Sequence, residues 1–208
     1  MSIRIETRPL GPLQTNCYLL FNEQTNEALV IDPGMQAESI LADLQGWMVQ
    51  AILLTHAHFD HIGGVQLLRE QFNCPVYLHE VEQSWLLDPM KNGSGRWPEL
   101  GGAFTCDPAE KELTHGQELE LIGETFEVRH TPGHSPGSVS FVIGQVVFCG
   151  DALFYRSIGR TDLPGGNFAT LSASIHEQLF TLDEATIAFP GHGQATNIGD
   201  EKRLNPYI

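Results

Sequence analysis

The chain has 208 residues, 41% of them apolar and 18% charged, and a formal net charge of −15. That length and apolar content suit one domain, expected over residues 1–208, with a sizeable core, and they exclude a disordered chain. An acidic balance with no basic run excludes nucleic acid and anionic membrane as partners.

The opening, MSIRIETRPLGPLQTNCYLLF, has no basic segment followed by an apolar one, so no signal peptide is expected. No apolar run approaches the roughly 20 residues of a membrane helix. A cytoplasmic location follows as the expectation, with reduced thiols at Cys17, Cys74, Cys106 and Cys149, which form no C-x-x-C pair. Residues 16–22 and 27–32 read as strands of a hairpin joined by the polar turn 23–26. Residues 35–47 predict a helix, with Ile40, Leu41, Leu44 and Met48 at helical spacing. A short strand at 51–54 precedes a helix at 62–72, whose stripe is Ile62, Val65, Leu68 and Phe72. A strand at 75–79 leads into a short helix from Glu80. The Gly- and Pro-rich stretch 88–108 has no period and reads as a functional surface loop. Strands follow at 118–121, 125–130, 138–143 and 146–149. Then come a helix at 168–182, a strand at 185–189 and a final short helix at 198–204. Two strand clusters, each with helices, predict two facing sheets with helices outside. Cys17, Cys74 and Cys149 lie among strand-like residues and read as buried thiols.

His56-Ala57-His58-Phe59-Asp60-His61 follows the strand at 51–54 directly. Imidazole and carboxylate are ligands of zinc and similar divalent ions. On extended backbone the rings of His56 and His58 project to one side and suit one ion. Asp60 and His61 stand where the chain turns into a helix, and suit a second. His134 lies in HTPGHSPGS, Asp151 follows the apolar VVFCG, and His192 lies in FPGHG. Each follows a strand, where loops on a rigid scaffold carry function. A solvated polar loop explains a single histidine better than it explains this cluster. His79, His115 and His176 therefore take structural or exposed roles, whereas His130 is a candidate partner for a ligand ring. Trp85, Trp97 and Phe104 flank the long loop and serve either substrate or core.

THAHFDHIGG, HTPGHSPGS, CGDALF and PGHG, in that order, resemble the metallo-β-lactamase superfamily, and within it the glyoxalase II-like hydrolases. GPLQTNCYLL, GRTDLPGG and EKRLNPY are similar to small bacterial members known as hydroxyacylglutathione hydrolases. The likeness spans nearly the whole chain. It implies an α/β (α+β) fold, the four-layer αββα sandwich. It implies one metal on His56, His58 and His134, another on Asp60, His61 and His192, and Asp151 bridging them. The cofactor expected is a pair of divalent ions, zinc first, with iron or manganese compatible with an all N/O donor set.

The activity implied is hydrolysis of a thioester formed by a 2-hydroxy acid and a low-molecular-weight thiol, as in S-lactoylglutathione. A metal-bridging hydroxide is the expected nucleophile, Asp60 and Asp151 are the catalytic carboxylates, and a thiolate departs without a general acid. Iron-dependent persulfide dioxygenases and lactonases of the same fold are the alternatives, and a metal-bearing module without catalysis is the bland one. The commonest class B β-lactamases carry cysteine at the position of Asp151; Cys149 is two residues early. Larger glyoxalase II enzymes add a helical domain beyond the point matched by Tyr207-Ile208. Their thiol-binding lysine is matched by Arg160, the candidate substrate contact, and a nearby tyrosine by Asp162, which puts glutathione in question.

Overall fold

β2 (Thr15–Asn22) is buried at all eight positions, and its alternate residues divide between two cores. Cys17, Leu19 and Phe21 pack with Ile40, Leu44, Val65 and Leu68, while Tyr18 and Leu20 pack with Phe126, Phe141 and Phe148. One strand with a period of two thus has helices on one side and a second sheet on the other. The computed structural model describes residues 3–208.

The first sheet runs β1 (Ile3–Leu10), β2, β3 (Glu27–Ile31), β4 (Met48–Leu53), β5 (Val76–His79) and β6 (Lys111–Leu113), in that spatial order. Its first three strands pair antiparallel and the rest parallel. The second sheet contains β7 (Glu118–Leu121), β8 (Glu124–His130), β9 (Val139–Ile143), β10 (Val146–Gly150), β13 (Ile187–Pro190) and β14 (Thr196–Asn197). Its order is β14-β13-β10-β9-β8-β7, and only β10 and β13 are parallel neighbours. A small hairpin, β11 (Leu153–Phe154) and β12 (Ser157–Ile158), stands apart. Helices α1 (Leu41–Leu44) and α3 (Val65–Phe72) cover the first sheet. Helices α5 (Phe168–Ser174) and α6 (Ile198–Leu204) cover the second through Leu171, Ile175, Leu179 and Ile198, which pack on Val142, Val147 and Cys149. The result is the αββα sandwich. All four cysteines are buried and free.

Some elements differ from their sequence reading. The helix expected at 35–47 is a 3-10 turn, Ala37–Ile40, followed by the single turn α1. Gln36 enters it at φ 62° and Gly46 leaves it at φ +87°, and Trp47 swings back onto Phe21 at 4.8 Å between ring centroids. The helix expected at 62–72 is split by Gly63-Gly64 into α2 (Phe59–Ile62) and α3. A Cβ on Gly64 would lie 2.3 Å from that of Ala37, so the break lets two segments touch. The helix at 168–182 changes to π-type over Ile175–Leu179. The 88–108 stretch holds the short α4 (Pro89–Asn92), capped by Asp88, and a 3-10 turn at Pro98–Leu100. The edge strand β1 and the short β6 carry charged residues at alternate or successive positions and gave no apolar run to read.

Candidate metal centre

Four connections converge at one edge of the sandwich: those leaving the C-terminal ends of β4, β8, β10 and β13. They carry all seven residues singled out from the sequence. His56, His58 and His134 offer one compact group of ligand atoms, and Asp60, His61 and His192 offer another. Asp151 falls with His56 and His61 in a third group. Within each group the ligand atoms lie within 4.8 Å of one another. The cluster is suited to two metal ions.

Local backbone explains the first four. His58 is extended (φ −72°, ψ 146°), and the rings of His56 and His58 lie 4.7 Å apart. Asp60 and His61 occupy the first turn of α2, which redirects them. Asp32, at the end of β3 in the left-handed region (φ 50°), ties this turn down. Its carboxylate accepts from the Thr55 backbone N–H at 2.8 Å, from Thr55 Oγ1 at 2.6 Å, and from His61 Nδ1 at 2.9 Å. Thr55 Oγ1 also lies 3.0 Å from His56 Nδ1.

The ring nitrogens not turned inward are held in the same way. His134 Nδ1 meets the Arg160 carbonyl at 2.8 Å, and His192 Nδ1 meets the Leu13 carbonyl at 3.1 Å. A carboxylate or carbonyl only accepts, so Nδ1 carries the hydrogen in His61, His134 and His192, and Nε2 faces the cluster with its lone pair. Asp151 presents its two oxygens to different sides. Oδ1 is 3.4 Å from His61 Nε2, whereas Oδ2 is 3.5 Å from His134 Nε2 and 3.6 Å from His192 Nε2. Asp60 Oδ2 accepts from Thr15 Oγ1 at 2.8 Å and lies 3.2 Å from His192 Nε2.

Three buried atoms of this cluster, His56 Nε2, His61 Nε2 and Asp151 Oδ1, have no hydrogen-bond partner. Buried polar atoms without partners are costly, and a pair of cations, one on each ligand group, satisfies all three. The charge balance fits a cation as well. Burial works to raise Asp60 and Asp151, but the imidazoles outweigh it. His61 first, then His192, holds Asp60 below the usual carboxylate range, and His61 holds Asp151 at about 2. Burial disfavours charge on His61 and His192, yet the neighbouring carboxylates leave both raised. Burial and then adjacent imidazoles depress His56, and they bring His58 to about 3. The carboxylates thus favour positive charge at this centre, a role that a bound cation takes over.

Two clamps were not read from the sequence. Glu82 is fully buried; its Oε2 accepts from the Ala57 N–H at 2.6 Å and its Oε1 from the Gly137 N–H at 2.7 Å. It therefore joins the loop between His56 and His58 to the turn after His134, and burial raises its pKa. The second clamp is the start of β2. Asn16 donates its backbone N–H to the Gly191 carbonyl at 2.7 Å and its Nδ2 to the carbonyls of Pro190 and Gly193, while the Tyr18 hydroxyl donates to Pro190. TNCY thus grips the loop carrying His192. Gly191 must lack a side chain, since a Cβ there would lie 2.0 Å from Asp151 Oδ1 and 2.7 Å from His61 Cε1.

The cluster forms the floor of a cavity of about 480 Å³. Leu13, Phe59, Trp97, Phe154, Ile158 and Leu163 contribute to its walls. Trp97 stacks on Phe59 at 5.8 Å and 30°. Trp85 packs on His58, and Phe104 joins the core under the first sheet. Arg160 lines the cavity too, with Nε and Nη2 donating to the two oxygens of Asp162 at 2.7 and 2.8 Å. The hairpin β11–β12, which supplies Phe154 and Ile158, is anchored from the C-terminal side. Buried Glu201 accepts from the Arg156 backbone and guanidinium, and Asn205 Nδ2 donates to the Ser157 carbonyl at 3.0 Å. His130 meets the Pro136 carbonyl at 2.9 Å and stacks on His79, touching no ligand ring. His115 accepts from the His130 N–H, and His176 is bonded within its own helix.

A family model of the metallo-beta-lactamase superfamily matches residues 10–192. The probable metallo-hydrolase YqgX of Bacillus subtilis is 44% identical over 204 residues, covering 96% of this chain and 95% of that protein. Hydroxyacylglutathione hydrolase GloC of Haemophilus influenzae is 35% identical over 212 residues, covering 99% and 98%. Among solved structures, BLEG-1, described as a B3 metallo-beta-lactamase, matches with a TM-score of 0.93 at 48% identity, covering 98% of this chain and 99% of that one. TTHA1623 in a di-iron-bound form matches with a TM-score of 0.83 at 42% identity, covering 98% and 100%. ETHE1 from Myxococcus xanthus matches with a TM-score of 0.78 at 31% identity, covering 98% and 83%. Among the described residues no helix is long and apolar enough to cross a membrane.

Proposed function

The chain belongs to the metallo-beta-lactamase superfamily and is a metallo-hydrolase, and from that premise we propose that it hydrolyses a thioester of a 2-hydroxy acid and a low-molecular-weight thiol. His56, His58 and His134 would hold one ion, Asp60, His61 and His192 another, and Asp151 would serve both. Divalent ions bound there supply a water of lowered pKa and polarise an acyl oxygen; zinc, iron or manganese suits the donor set.

The chain's own residues do the rest. Thr15 donates to Asp60 Oδ2, the oxygen that faces His61 and His192, and so fixes the carboxylate toward the cluster. The Nδ1 contacts of His61, His134 and His192 fix their rings before substrate arrives. In the reaction a carbon–oxygen bond forms from water, the carbon–sulfur bond breaks, and the thiolate leaves with the electron pair and takes up a proton from solvent.

One observation favours a thioester. The titratable residues lining the cavity are His58, Asp60, His134, Asp151, His192 and Arg160. The first five belong to the metal cluster, and Arg160 is held by Asp162. No lining side chain is therefore placed to protonate a leaving group. A thiol, with a pKa near ~8.5, departs readily as its anion, whereas an amine or alkoxide needs a proton. The likeness to BLEG-1 supports a second reading, opening of a β-lactam amide. The test combines elemental analysis with anaerobic assays of S-lactoylglutathione, a lactone and a chromogenic β-lactam, each with and without chelator. Two ions per chain and chelator-sensitive thioester cleavage are expected. A single iron with oxygen uptake on glutathione persulfide would move the protein to the dioxygenases, and faster β-lactam turnover would favour the second reading.

A further inference from the structure

The cavity above the metal cluster differs in character from its floor. Its walls are built from Leu13, Phe59, Trp97, Phe154, Ile158 and Leu163, drawn from the turn between β1 and β2, from α2, from the 88–108 stretch and from the segment after β10. Two of these walls are aromatic and pressed against the site itself. Phe59 stacks with Trp97, and Phe154 meets the His192 ring edge-on at 6.1 Å. Among the described residues, Arg160 is the one lysine or arginine in the lining, and it is already paired in a fork with Asp162. A fork of this kind uses the donors that would otherwise take a substrate carboxylate. A cavity of about 480 Å³ holds a small organic group and lies in the ordinary range for ligand pockets.

We propose that the group seated in this cavity is uncharged and apolar, so that the preferred substrates are thioesters bearing a short aliphatic or arylalkyl group rather than glutathione with its two carboxylates. This inference rests on the thioester reading for the bond cleaved and goes beyond it by placing an aliphatic or arylalkyl group, rather than the 2-hydroxy acyl group, among the preferred substrates. Trp97, Phe59 and Leu13 are the residues that set the preference, through the apolar area they remove from water. The Arg160–Asp162 pair closes the rim without offering net charge.

The test uses the full-length, metal-reconstituted protein and two probe series. The first is S-acyl-N-acetylcysteamine with acetyl, butanoyl, hexanoyl and phenylacetyl groups, with rates divided by those of hydroxide-catalysed hydrolysis. The expected kcat/KM rises about fourfold per methylene until the cavity is filled. Trp97→Ala lowers the hexanoyl-to-acetyl ratio roughly tenfold, and Leu13→Ala, at an exposed position, lowers it severalfold. The second series compares S-lactoylglutathione with its dimethyl ester, which lacks both carboxylate charges and keeps the ammonium. The ester is expected to match or exceed the free acid, and Asp162→Ala, which frees Arg160, is expected to shift the ratio severalfold towards the free acid. Asp162 is exposed, so that variant tests the idea without risk to folding. Binding of the non-hydrolysable S-hexyl-N-acetylcysteamine, followed by calorimetry, supplies a readout that does not depend on turnover. A flat acyl series, or a free acid preferred severalfold in the unaltered protein, would overturn the inference while leaving the hydrolase reading intact. No turnover of any thioester, together with chain-length-dependent thioether binding, would remove the thioester reading and leave the cavity's preference standing.

Discussion

The two sheets contribute to the metal cluster in contrasting ways. The first delivers His56, His58, Asp60 and His61 from six consecutive positions, all nearly sealed from solvent, with Asp32 and Thr55 locking them from behind. The second delivers His134, Asp151 and His192 from three separate loops, and the side chain of His192 is still 28% exposed. A contiguous set is fixed by one turn of backbone. A dispersed set needs tethers of its own: Glu82 and the Arg160 carbonyl hold the His134 loop, and Asn16, with the backbone bridge between Thr15 and His192, holds the His192 loop. The lesson is that the first sheet supplies a half-site fixed by one turn and the second a half-site assembled by tethers, while both halves line the cavity.

That contrast makes measurable claims. The largest effect is expected at Asp151, which serves both ion groups. Asp151→Ala should lower thioester kcat/KM on the order of 10³-fold and reduce the metal content read by elemental analysis. Because Asp151 belongs to the dispersed half, thermal unfolding of the metal-free protein should change little. Asp32→Asn should behave differently. It touches no metal, yet metal affinity measured by competition with a chelator should fall about 10–100-fold. It should also lower the Tm of the metal-free protein, because one of its two oxygens becomes a donor facing donors. An unchanged Tm would break the claim that this half is built in advance. Glu82→Gln loses one of the two N–H contacts that join the halves and should cost about 1–3 kcal/mol in denaturant unfolding.

The smallest effect concerns His79. Burial, and then the stacked His130, lowers its pKa below the usual imidazole value. The unfolded chain therefore takes the proton first. His79 is neutral in both states above about pH 6.5, and stability is lost as pH falls below that value towards the folded pKa. His79→Phe should flatten part of the Tm decline between pH 7 and 5.5, and an identical decline would assign it to other groups.

The same contrast governs what the sequence made legible. His56 to His61 announce themselves by density. His134, Asp151 and His192 each sit in a Pro/Gly turn after an apolar run, and that context marks them. The strands with apolar stretches and the capped helix α6 could be placed for the same reason. β1 could not, because Arg4, Glu6 and Arg8 interrupt it on an edge where charge is tolerated. Asp32 and Glu82 escaped because their roles depend on partners distant in the chain, at separations of 23 to 55 residues. Asp32 had one local sign, a carboxylate ending an apolar strand just before Pro33-Gly34. Glu82 had none, since it sits among Glu80 and Gln83 in an ordinary polar turn.

The grip of Glu201 and Asn205 on the hairpin β11–β12 has a consequence for how such a protein is altered. Phe154 and Ile158 move with the tail of the polypeptide, because the last helix and that wall are fastened as one piece. Edits near the carboxyl terminus, a fused tag or an appended module among them, therefore pull on the shape of the substrate chamber before they reach the ions beneath it.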